Sequence, residues 1–121
     1  MKYDDNNIFA KILRGEIPCE KIYEDDFVLS FYDINPQKKI HALVIPKGKF
    51  IDLDDFAKKA TDQEIAGFIK GVNIVATKLE ITMGNGKGYR ALVNIGEFGG
   101  QEVPHLHFHL FGGEKIGKMV E

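Results

Sequence analysis

Residues 104–111 read PHLHFHLF, so His105, His107 and His109 alternate with Leu106, Phe108 and Leu110. On an extended chain, residues two apart point to the same side. The three imidazoles therefore share one face, and the apolar side chains share the other, which suits a core. A row of imidazoles can ligate a metal or act on a small substrate. A metal is the poorer fit: alternate strand residues sit about 6.5–7 Å apart. Two of them can converge on zinc, with bonds near ~2.1 Å, but a third from one straight strand reaches the same ion badly. His41 is the only other histidine, and the single cysteine, Cys19, leaves no Cys-x-x-Cys pair. Catalysis fits better. Neutral imidazole is a good nucleophile toward phosphorus, and a pKa near ~6.5 leaves it mostly neutral at pH 7. Two charged imidazoles about 6.5 Å apart would repel by roughly 2–3 kcal/mol at an effective dielectric of about 20, which keeps a central ring unprotonated. The preceding loop, GEFGGQE, has Gly99 and Gly100, whose missing side chains let backbone N–H groups approach an anion. The residues point to attack on phosphorus.

The rest of the chain must position that face. NNIFAKILRGEIP places Ile8, Phe9, Ile12 and Leu13 at helical spacing, with Asn6 or Asn7 as cap and Gly15 as stop. Apolar and β-branched runs near 21–24, 27–32 and 40–45, separated by Asp25-Asp26 and Asn35-Pro36, read as strands. The short turns favour antiparallel pairing. DLDDFAKKA reads as a minor helical turn. The longest helix is TDQEIAGFIKGVNIVATKLE, with Thr61 and Glu64 forming a capping box ahead of an apolar stripe. Gly67 and Gly71, four apart on that helix, suit close packing against a neighbour. GNGKG at 84–88 is a turn, lacking the Lys-Ser/Thr ending of a phosphate loop. YRALVNI and VPHLHFHLF complete about five strands. The expectation is an α+β domain, residues 1–121, with two helices on one face of an antiparallel sheet.

The totals set outer limits. A chain of 121 residues fits one domain. Its 44% hydrophobic and 28% charged content is an ordinary folded balance. A formal net charge of −2 argues against bulk binding to nucleic acid, though not against one nucleotide. One cysteine fits a reducing compartment. No stretch approaches the roughly 18 apolar residues of a membrane span, and MKYDDNNIF makes no signal peptide. A cytoplasmic protein is expected.

GGQEVPHLHFHLFGG resembles the His-φ-His-φ-His-φ-φ signature (φ, apolar) of the histidine triad (HIT) family, in particular its Hint branch of purine nucleoside phosphoramidases. IFAKILRGEIPCEKIYEDDFVLSFYDINPQKKIHALVIPK resembles the N-terminal half of that branch, and KGYRALVNIGEFGGQ the stretch leading into the triad. The resemblance implies a HIT-like fold whose histidine strand faces a nucleotide. It implies that His107 attacks phosphorus to form a nucleotidyl-histidine, that His109 bonds near the phosphate and leaving group, and that His105 and His41 support them. Water would then release AMP or GMP. It implies no metal or cofactor, and a homodimer. Family members that transfer nucleotides between sugar phosphates carry Gln at the third position, so His109 favours a hydrolase.

By the same resemblance Asp33 binds the ribose hydroxyls. Phe31, Ile34, Ile8, Phe9 and Ile12 enclose the purine. Asn94, Gly100, Gln101, Glu102 and Val103 line the phosphate side. Read without it, Asp33 starts a turn, the apolar residues are core, and Asn94 ends a strand. Glu102 stands where eukaryotic Hint proteins have serine, and the chain has neither a tryptophan nor their tryptophan-containing tail. Three other readings compete: a dinucleoside polyphosphate hydrolase of Fhit type, a nucleotide-binding regulatory module with little turnover, and a zinc-binding protein.

Overall fold

The computed structural model describes residues 1–119. Helix α1 spans Ile8–Leu13, and Asn7 caps it by accepting the Ala10 N–H. Strands β1 (Lys21–Glu24), β2 (Val28–Tyr32) and β3 (Ile40–Pro46) follow where the apolar runs predict them. Then come α2 (Leu53–Lys59), α3 (Asp62–Lys78), β4 (Arg90–Val93) and β5 (Phe108–Gly112). The sheet has the order β1-β2-β3-β5-β4, and every pairing is antiparallel.

The capping box of α3 is formed in both directions: Thr61 Oγ1 accepts the Glu64 N–H, and Glu64 Oε1 accepts the Thr61 N–H. Among the described residues there are three helices rather than two. The expected minor turn is a seven-residue helix, α2, capped by Asp52 and held by the buried ring of Phe56.

The helices do not share one face. Helix α3 covers the side where Val28, Ala42, Val44, Leu106 and Leu110 pack with Phe68, Val72 and Val75. Helix α1 covers the other, where Phe9 packs with Leu29, Phe31, Leu43 and Ile45. Both β2 and β3 are buried on both sides, which explains why VLSFY and IHALVIP are almost continuously apolar. His41 and His109 lie on the α1 side, in register with Leu43, so the histidine face is partly roofed.

The glycine pair on α3 has the role its spacing suggests. A Cβ at Gly67 would stand 2.4 Å from the Phe27 ring, and one at Gly71 would stand 2.8 Å from both γ-methyls of Val28. Val28 is fully buried and cannot yield. Gly71→Ala would gain up to ~1 kcal/mol of helix propensity, but overpacking costs about 1–3 kcal/mol. The expected net result is a lower urea midpoint at unchanged m-value.

The fifth strand is shorter than the alternation implies. Residues 103–107 are not strand. Pro104 has no N–H, the His105 N–H donates to the Val103 carbonyl, and the Leu106 N–H donates to the Phe50 carbonyl. The ladder with β3 ends at the Val44–Phe108 pair, two residues before Pro46. The alternation of faces nevertheless persists: Leu106 and Leu110 enter the α3-side core, while His107 packs against Phe9.

Candidate active site

His105 is fully buried, His41 and His107 nearly so, and only His109 is partly exposed. The histidine face thus looks inward, toward α1 and the N-terminal residues, rather than to open solvent. Burial of this kind demands partners, and the partners fix each ring's tautomer. His105 Nε2 lies 2.9 Å from the Pro46 carbonyl, which only accepts, so Nε2 carries the proton. His105 Nδ1 then accepts from the Tyr3 hydroxyl at 2.6 Å. His107 Nδ1 lies 2.8 Å from the His105 carbonyl, so here Nδ1 carries the proton and Nε2 keeps its lone pair. No buried side-chain nitrogen or oxygen goes unpartnered among the described residues, and no protein group there bonds His107 Nε2. That atom is therefore where the ring meets solvent.

His41 and His109 take the opposite arrangement. The Gln37 N–H donates to His41 Nδ1 at 3.1 Å, so the His41 proton sits on Nε2. It donates to His109 Nδ1 at 2.9 Å, with Asp33 Oδ2 at 3.5 Å. His109 is left with an N–H at Nε2. The His107 and His109 rings are 5.1 Å apart, edge to face. The site therefore sets an imidazole lone pair beside an imidazole N–H.

Burial depresses the pKa of all four rings. It pushes His105 and His109 down to about 4, the latter with help from His107 and His41. His41 and His107 are also lowered, burial again leading, while Asp33 opposes it at both and Glu102 opposes it at His107. All four are neutral at pH 7. The charged groups acting on His107 are Asp33 and Glu102, and those acting on His109 are His107, His41 and Asp33, with no lysine or arginine among them.

Asp33, His41 and His109 present one ligand atom each within 4.8 Å, close enough to suggest a cation site. The proton positions speak against it. With the Gln37 N–H on Nδ1, the neutral His41 ring has no lone pair at Nε2 to give a metal.

The remaining expected site residues divide by environment. Asp33 is half-buried and starts a turn. Its Oδ1 accepts the Asn35 N–H, while Oδ2 faces His41. Phe9 and Phe31 are closed into the core, ring to ring at 5.7 Å. Ile12 packs at its edge; Ile8 and Ile34 are exposed. Asn94, just past β4, is half-buried, and Val103 packs against the α1-side core. Two of the expected groups are engaged within the protein itself. The Gly100 and Gln101 N–H groups bond within their own loop, to Glu97 and Gly96, and are not free for an anion. Gln101 likewise spends its amide as a brace, donating to the Ile51 and Val103 carbonyls and accepting from the Gly96 N–H. The backbone N–H groups of Glu102 and Val103 have no protein partner among the described residues. Glu102 itself is exposed. Tyr3 and the Gln37 N–H, which fix two of the tautomers, carry no signal in the sequence.

A hollow of about 1070 Å³ lies away from the histidines, beside the edge strand β4, lined by Ile81, Tyr89, Arg90 and Lys115 among others. Among the described residues no helix is long and apolar enough to cross a membrane.

Three alternating histidines leading into the last strand of an antiparallel sheet, braced by a fourth from the adjoining strand, define a histidine triad domain. The HIT domain family profile matches residues 14–116, and the chain belongs to that family. It is 52% identical to an uncharacterized HIT-like protein of Azospirillum brasilense, over 98% of this chain and 94% of that one. A HIT family hydrolase from Clostridium thermocellum superposes with a TM-score of 0.82 at 37% identity, covering 97% of this chain and 99% of that one. A histidine triad nucleotide-binding protein from Candida albicans superposes with a TM-score of 0.77 at 32% identity, covering 96% and 85%.

Proposed function

We propose that this protein is a Hint-type hydrolase of purine nucleoside 5′-phosphoramidates, and of related acyl-nucleotides. The observation that carries this reading is the pairing of His107 Nε2, a free lone pair, with the adjacent His109 Nε2–H. His107 Nε2 attacks phosphorus, the P–N bond breaks, and the departing amine takes up a proton from solvent, which the attacking water later returns. His109 donates a hydrogen bond to the phosphate and leaving group. The nucleotidyl-His107 becomes cationic, and its Nδ1–H on the His105 carbonyl stabilises that charge. Water then attacks phosphorus, freeing AMP or GMP and restoring neutral His107. Asp33 would hold the ribose, and the exposed Ile8 and Ile34, at the edge of the Phe9–Phe31 core, would flank the base. The kinship with a protein named for nucleotide binding supports the substrate class.

The charges favour an amine over a polyphosphate as leaving group. A dinucleoside polyphosphate would bring several negative charges toward Asp33 and Glu102, with no cationic side chain acting on His107 to offset them. A phosphoramidate brings one. The open edge of β4 supports pairing with a second copy, and the single half-buried Cys19, its thiol pKa raised by burial, suits a reducing cytoplasm.

The test is a panel varied in base and leaving group. Adenosine and guanosine phosphoramidates are expected to give kcat/KM at least ~10-fold above diadenosine polyphosphates. Glu102→Gln should narrow the gap a few-fold, since removing one exposed like charge relieves about 0.5–1 kcal/mol. Faster polyphosphate cleavage would establish the Fhit-type alternative. AMP binding without turnover of any substrate would leave a regulatory module.

A further inference from the structure

The N-terminal residues lie outside the stretch that defines the family, yet one of them reaches the triad. Tyr3 meets His105 edge to face at 5.7 Å, and its hydroxyl donates to Nδ1 at 2.6 Å. The other end of the same fully buried ring is tied to the Pro46 carbonyl. The segment carrying Tyr3 is itself fastened. Asp5 pairs with Lys49, just past Pro46, at 2.8 Å. The Asp5 carbonyl accepts from Arg14 at 2.8 Å, and the Asn7 amide donates to the Asp4 carbonyl at 2.7 Å. Residues 3–7 thus form a clasp over His105, joined to the segment that holds its far side.

We propose that Tyr3 is a positioning residue for phosphoryl transfer. Its hydroxyl holds the His105 ring, which fixes the His105 carbonyl. That carbonyl holds His107 Nδ1–H, keeping Nε2 aimed at phosphorus. The proposal rests on His107 being the nucleophile. Tyr3 touches no substrate and acts entirely through His105.

Tyr3→Phe is the test, because it keeps the ring and removes only the donor. The expected kcat is about 10-fold lower, the size of effect seen when a supporting hydrogen bond is removed, with KM changed less than ~2-fold. In ¹⁵N-histidine spectra His105 Nδ1 should shift to the value of a nitrogen without a donor. The His107 Nδ1 proton should exchange faster with solvent. An unchanged kcat, or a loss confined to KM, overturns the proposal. So does a His107 Nδ1 proton that exchanges as in the wild type. The spectra also separate this inference from the functional reading. If the wild type turns over no nucleotide, faster exchange in Tyr3→Phe still upholds the coupling of Tyr3 to His107, and unaltered exchange sinks it. Thermal unfolding of Tyr3→Phe, run beside the kinetics, confirms that both proteins are folded at the assay temperature.

Discussion

His107→Asn is expected to lose turnover by about 10³-fold or more, while still binding AMP within a few-fold of the wild type. The asparagine amide can donate to the His105 carbonyl as His107 Nδ1 does, so the local fold keeps its hydrogen bond. What disappears is the lone pair that attacks. His107→Ala should be equally inactive but less stable, since it leaves the His105 carbonyl without that donor and a gap beside Phe9. Burst kinetics and mass spectrometry on the wild type should reveal a nucleotidylated protein, and neither variant should form it. Substantial turnover by His107→Asn would remove His107 from the mechanism. Equal activity loss from His109→Ala, with the adduct still formed, would assign His109 to hydrolysis of the adduct rather than to the attack and the departure of the amine.

The second large effect is on stability in acid. His105 titrates near 6.5 when unfolded and is pushed down to about 4 by burial in the fold. Between those values the unfolded state binds the extra proton and the folded state does not, so stability rises with pH across that window. Conversely, its contribution is intact above about pH 6.5 and is lost progressively as the pH falls toward 4. The loss from His105 alone is of order 3 kcal/mol. His109 adds to it in the same direction, by less than its shift suggests because that ring is partly exposed. Urea titrations from pH 7 to pH 4 should show the midpoint falling at a nearly constant m-value. The acid limb of the rate profile should lie below pH 6.5, because His107 is also depressed and must be neutral to attack. A stability curve flat from pH 7 to pH 4 would mean that these rings are not buried neutral.

Much of this was legible in the residues. The alternation in PHLHFHLF sorts a core face from an imidazole face, and Leu106 and Leu110 are buried in the α3-side core as it requires. The capping box at Thr61 and the helical stripe of α1 follow from local chemistry, so they survive in the fold. Other features depend on what each segment meets far away. The placement of α1 on the histidine side was signalled only by the two-faced apolar character of β2 and β3, which a reading for alternation passes over. The early end of β5 depends on Pro104 and on the distant Phe50 carbonyl, which takes the Leu106 N–H. Gln101 matched a phosphate-binding pattern, but its amide braces the loop against Ile51, a contact fifty positions away. The partner of His105 is farther still: Tyr3 lies 102 positions away, and a tyrosine near a terminus carries no periodicity to mark it.

The two central histidines are chemically identical, yet the fold makes one a lone-pair donor and the other a proton donor. Their difference originates in peptide groups. A backbone carbonyl holds His107, and a backbone N–H stands behind His41 and so behind His109. Neither peptide group can change sides: a carbonyl never donates, and this N–H is never an acceptor. The symmetry between the two imidazoles is therefore broken by the covalent backbone itself. Substitutions around the pocket that spare His41 and keep the Gln37 N–H can retune affinity or the choice of leaving group without exchanging the two roles. The polarity of the reaction is anchored in two peptide groups, one reached directly by His107 and the other through the His41 ring by His109.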